Sequence, residues 1–73
     1  MSATASFGDV ERMLKACAAG STIRLATHSR VIQYNGKTYR SMPKFDNIEL
    51  GHIRKMARYL GIMECAKKHI PGL

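Results

Sequence analysis

Asn35-Gly36 constrains this chain more than any other pair of residues. A two-residue type I′ turn needs positive φ at both central positions, which Asn and Gly adopt at least cost, and its twist suits antiparallel strands. That turn fixes a pairing: Tyr34 with Lys37, Gln33 with Thr38, Ile32 with Tyr39 and Val31 with Arg40. Upstream, from Ser21, the hydrophobic period is two, with Ile23 and Leu25 pointing one way and Thr22, Arg24 and Ala26 the other. A tight connection at His28-Ser29 sets Leu25 opposite Ile32 and Ile23 opposite Tyr34; His-Ser is not a favoured two-residue turn, so a longer or bulged connection is the alternative. Ile23, Leu25, Ile32, Tyr34 and Tyr39 then share one face, while Arg24, Gln33, Thr38 and Arg40 share the other with Val31. Two turns assigned separately give one apolar face, so a three-stranded antiparallel meander is expected. Pro43 ends its third strand, because proline cannot donate to a ladder.

Helices flank the meander. Ser6-Phe7-Gly8-Asp9 has the form of a capping box, and Val10, Met13, Leu14 and Cys17 follow at i, i+3, i+4 and i+7 before Gly20. Asp46-Asn47-Ile48-Glu49 offers a second capping box. Leu50, Ile53, Met56, Ala57 and Leu60 form the apolar stripe of the next helix, with Gly61 suited to its left-handed C-terminus. Ile62, Cys65, Ala66 and Ile70 allow a short further helical segment before Pro71-Gly72. The expected order is α-β-β-β-α, an α+β fold with a three-stranded antiparallel sheet and two helices on one face. It looks like the double-stranded-RNA-binding-domain class.

At 73 residues the chain is read as one domain over 1–73: a frayed start over 1–6, a core over 7–62 and an extension over 63–73. Twelve Lys and Arg against five Asp and Glu leave a formal charge of +7, which calls for a negative partner such as nucleic acid, an anionic surface or an acidic protein. No apolar run reaches membrane-spanning length and no signal peptide is evident, so a cytoplasmic protein is expected, with no membrane partner. Cys17 and Cys65 lack framework spacing and read as reduced, buried thiols. Cys65 and His69 stand at i, i+4, yet the remaining Cys and His are scattered; no metal and no other cofactor is expected.

His28 is the candidate proton-transfer group, since an imidazole both accepts and donates a proton near neutrality. A ribonuclease working without metal needs a base for the ribose 2′-hydroxyl, an acid for the leaving 5′-oxygen and cations for the charge building on phosphate. Arg24, Arg30, Lys37 and Arg40 on the hairpins, Lys44 beyond Pro43, and Arg54, Lys55 and Arg58 on the second helix are the candidate nucleic-acid-binding residues. The bland readings are an exposed histidine at a strand end and a solvated basic surface. Tyr34 and Tyr39 alternate onto the apolar face and read as core, and His52 as structural or exposed.

Taken in order, Thr27-His28, Met42-Pro43, Gly51-His52-Ile53-Arg54 and Leu60-Gly61-Ile62 resemble the motifs of HicA-type toxins, over about residues 9–62. Members of that family pair a Gly-Ser/Thr-His strand end with a hairpin, a Val-Pro segment and a final helix. The resemblance implies a metal-independent endoribonuclease cleaving mRNA, the toxin of a toxin–antitoxin pair, with His28 as its catalytic histidine and a HicB-type antitoxin as protein partner. Ala26 stands where the family usually has glycine, and Phe45 lies where members often carry another histidine. The alternatives are a non-catalytic RNA- or DNA-binding module on the same fold and a small basic adaptor for an acidic protein.

Overall fold

A computed structural model describes residues 3–73. The elements in order are β1 (Thr4–Ser6), α1 (Phe7–Cys17), β2 (Thr22–Leu25), β3 (Arg30–Tyr34), β4 (Lys37–Met42), β5 (Asn47–Glu49), α2 (Leu50–Leu60) and α3 (Met63–His69). Strands β2-β3-β4 form the expected antiparallel meander, and β1 and β5 form a separate antiparallel pair. The fold is α+β, with helices packed on a three-stranded antiparallel sheet.

Both long helices form for reasons written locally. Ser6 caps α1 by accepting the amide of Asp9 through its hydroxyl, and Val10, Met13 and Leu14 are buried. In α2 the buried residues are Leu50, Ile53, Met56, Ala57 and Leu60, the anticipated stripe. Gly61 ends α2 at φ 76°, where its amide bonds back to the carbonyls of Ala57 and Arg58. These side chains join Ile32 and Met42 of the sheet, Ile48 of β5, and Ala66 and Ile70 in one core.

Five expectations need correction. The start is not frayed where it is described: Thr4 pairs with Glu49, Ala5 with Ile48 and Ser6 with Asn47, and Ala3 accepts the Leu50 amide through its carbonyl. Residues 1–2 lie outside the described residues. Second, Asp46–Glu49 is no capping box, because residues 47–49 are β5 and Glu49 precedes α2 with no side-chain cap. Third, the extension over 63–73 belongs to the core, which does not end at 62: its short helical segment forms as α3, and Ala66 and Ile70 are wholly buried.

The fourth correction concerns register. Ile23 pairs with Ile32 and Leu25 with Arg30, two residues away from the pairing expected from a His28-Ser29 turn. The connection spans Ala26–Ser29, and the Ala26 amide donates to the Ser29 carbonyl at 2.7 Å. A slip of two keeps every side chain on its assigned face. On the other side, Asn35 (φ 51°) and Gly36 (φ 79°) make the expected turn and the first three pairs of β3 with β4 hold. A bulge then intervenes, so that Arg30 pairs with Met42. The extra residue inverts the alternation and turns Met42 into the core at 0 % exposure.

Fifth, the cysteines are not free: Cys17, the last residue of α1, is bonded to Cys65 in α3, with Cα atoms 5.7 Å apart. Among the described residues no helix is long and apolar enough to cross a membrane.

Candidate nucleic-acid interface

His28 sits in the Ala26–Ser29 connection, exposed, at the end of the sheet where β2 turns into β3. The loop is held by its backbone and its neighbours. Ser29 donates its hydroxyl to the Arg40 carbonyl (2.8 Å), and Lys44 donates its ammonium to the Thr27 carbonyl (3.0 Å). Among the described residues no hydrogen bond holds the His28 ring, which is therefore free to meet a ligand from solvent.

The expected cations separate into three groups. Arg24, Arg40 and Lys44 are exposed: Arg24 lies on the outer face of the sheet across from Val31, Arg40 meets the loop through its backbone carbonyl, which accepts from Ser29, and Lys44 meets it through its ammonium on Thr27. Val31 itself is buried but stands apart from the main core. A second group lies at α2. Lys55 and Arg58 are exposed and Arg54 half-buried, on the side of α2 turned away from the core that the sheet shares. Lys37, at the start of β4, donates to the Tyr59 carbonyl at 3.2 Å, near the end of α2 where unpaired carbonyls favour a cation.

Arg30 forms the third group alone, and it is withdrawn from the predicted interface. It lies on the core side of β3, only 8 % exposed. Its guanidinium sits 3.5 Å from the centre of the Phe7 ring and donates to the carbonyls of Pro43 (2.8 Å) and Phe45 (2.9 Å). A charge this buried needs such partners. Arg30 ties the segment after β4 to the start of α1.

Two large apolar side chains are exposed here that the sequence reading missed. Leu25, paired with Arg30, is 67 % exposed, and Phe45, whose carbonyl accepts from Arg30, is 73 % exposed. The alternation had placed Leu25 on the apolar face, and it is on that face; no helix extends far enough to cover it. Tyr34 and Tyr39 pack against the core as expected, with the Tyr39 ring 5.8 Å from that of Tyr59. Burial raises the Tyr39 pKa above its ordinary 10.0. His52 is half-buried in the first turn of α2.

No protein-family model, curated protein or solved structure matches this chain.

Proposed function

We propose that this protein binds RNA at the end of the sheet built around the Ala26–Ser29 loop and cleaves it there as a metal-independent endoribonuclease, with His28 as the proton-transfer residue. The observation that carries this reading is an exposed His28 in a loop whose neighbouring residues, Thr27 and Ser29, are bonded to the Lys44 ammonium and the Arg40 carbonyl, in a chain of charge +7. In the proposed reaction His28 accepts the proton of a ribose 2′-hydroxyl, whose oxygen attacks the adjacent phosphorus. The bond to the 5′-oxygen breaks and that oxygen takes up a proton from solvent water, while His28 returns its own proton to solvent, leaving a 2′,3′-cyclic phosphate and a 5′-hydroxyl. Arg24, Arg40 and Lys44 offset the charge developing on phosphate. The resemblance to HicA-type toxins, and to the double-stranded-RNA-binding-domain class of fold, supports the same reading. It assigns the work to mRNA in the cytoplasm and a HicB-type antitoxin as partner. The exposed Leu25 and Phe45 give such a protein partner apolar side chains to cover.

The second reading, a binding module without catalysis, is favoured by the lack, among the described residues, of a hydrogen bond that orients the His28 ring, since catalytic constellations are normally held by their neighbours. One experiment separates the two. Disulfide-intact protein is incubated with a long single-stranded RNA in EDTA, wild type beside His28→Ala. Cleavage by wild type alone, with equal RNA binding by both, supports the nuclease. Binding without cleavage by either leaves the binding module, and equal cleavage by both removes His28 from the mechanism.

A further inference from the structure

At the opposite end of the molecule, the fold gathers three metal-ligating side chains that the sequence scatters over 52 positions. Cys17 closes α1, Cys65 lies within α3, and His69 follows Cys65 by one helical turn. Their ligating atoms, two sulfurs and an imidazole nitrogen, all lie within 4.8 Å of one another. We propose that, when Cys17 and Cys65 are reduced, these three residues bind a zinc ion, so that metal and disulfide are alternative closures of the same junction between α1 and α3.

The chemistry of the set supports this. Two thiolates and one imidazole are a donor combination suited to zinc, and three protein ligands leave a fourth position for water. Tetrahedral geometry with ordinary Zn–S and Zn–N bonds asks for donor separations of about 3.5–3.8 Å. Opening the S–S bond lets the sulfurs part to that spacing, and the exposed His69 has room to turn inward by the remaining ångström. A surface groove lined by Cys17, Cys65, Arg58 and Glu64 gives solvent access to the pair.

The compartment makes the exchange relevant. Thiol-reducing cytoplasm keeps most disulfides open, and a protein acting on mRNA there would lose the Cys17–Cys65 link. A dithiol or phosphine reductant breaks the S–S bond, is itself oxidised, and leaves two protein thiols. Zinc then displaces their two protons, while neutral His69 donates a ring lone pair. The junction is thus held in either redox state. The notion depends on the proposed compartment but not on His28 or on RNA.

The test is zinc binding by the full chain, reduced with a phosphine that does not itself hold zinc, measured by competition with a chromophoric chelator. Reduced wild type is expected to take one equivalent, and disulfide-bonded protein none at the same concentration. Exposed His69→Gln, which leaves the core intact, should weaken binding at least ~10-fold. In the reduced form, zinc should raise the melting temperature of wild type more than that of His69→Gln. Cobalt bound in place of zinc should show thiolate-to-metal charge-transfer absorption. Zinc affinity no better than that of a Cys17→Ser/Cys65→Ser double variant overturns the site, and unchanged affinity in His69→Gln overturns the three-ligand assignment. Neither result touches the nuclease reading, which is measured on disulfide-bonded protein in EDTA.

Discussion

Strand β2 and helix α3 are both short and both flank the core, yet they are built into it very differently. In α3 and the residue after it, Ala66 and Ile70 are 0 % exposed, and a covalent bond joins the helix to α1. In β2 every residue is exposed, and its two apolar side chains, Ile23 and Leu25, remain 36 % and 67 % accessible although they lie on the core side of the sheet. Helix α2 lies over β4, at the other edge. The same kind of side chain therefore stabilises the fold at one end and remains available to a partner at the other. Apolar patterning tells which way a residue points, and only the placement of neighbouring elements tells whether anything covers it.

The comparison breaks most directly through paired substitutions. Ile70→Ala is expected to cost about 2–5 kcal/mol in urea denaturation, because it opens a cavity in a filled core. Leu25→Ala should stay within about 0.5 kcal/mol. Equal losses would mean that β2 contributes to the core as α3 does. A subtler contrast sets Arg30 against Arg24. Arg30→Met removes the donor to the Pro43 and Phe45 carbonyls and should cost about 1–3 kcal/mol. Arg24→Ala should leave stability unchanged while weakening RNA binding and lowering the salt slope of affinity by about one. Should Arg30→Met instead lower RNA affinity without loss of stability, its assignment to the scaffold fails.

The smallest effect concerns Tyr39. Burial favours its neutral phenol, so its stabilising contribution is complete below the unfolded pKa of 10.0 and is lost as pH rises through the higher folded value. Tyr39→Phe should therefore lose less stability than wild type between neutral and strongly alkaline pH, as read by denaturation midpoints. Matching pH profiles would show that the phenol is not desolvated in solution.

What the sequence reveals follows from how local each signal is. The stripe of α2, its Gly61 terminus, the Ser6 cap and the Asn35-Gly36 turn each depend on residues within a turn or two of one another, and each is where the residue pattern places it. The β1–β5 pair is illegible because three-residue strands carry no period, and the partners lie some forty positions apart. The same distance hides the convergence of Cys17 on Cys65 and His69. At the candidate interface, alternation correctly orients Arg24 outward. Arg30 departs from the sequence reading because it takes a core-facing position, and the carbonyls that compensate its charge come from a loop no pattern predicts.

The bulge opposite Val31 has a consequence for how many ways the sheet can assemble. A plain two-stranded ribbon can slide by two residues and still present the same sides, so patterning alone leaves several pairings close in energy. Tyr39 and Met42 are three positions apart, and both can turn inward only if the additional residue falls between them. If β4 slides by two along β3 while the irregularity stays opposite Val31, the additional residue no longer falls between Tyr39 and Met42 and one of the two is expelled. The irregular step therefore acts as an indexing notch, leaving the ribbon one alignment in which both side chains are buried.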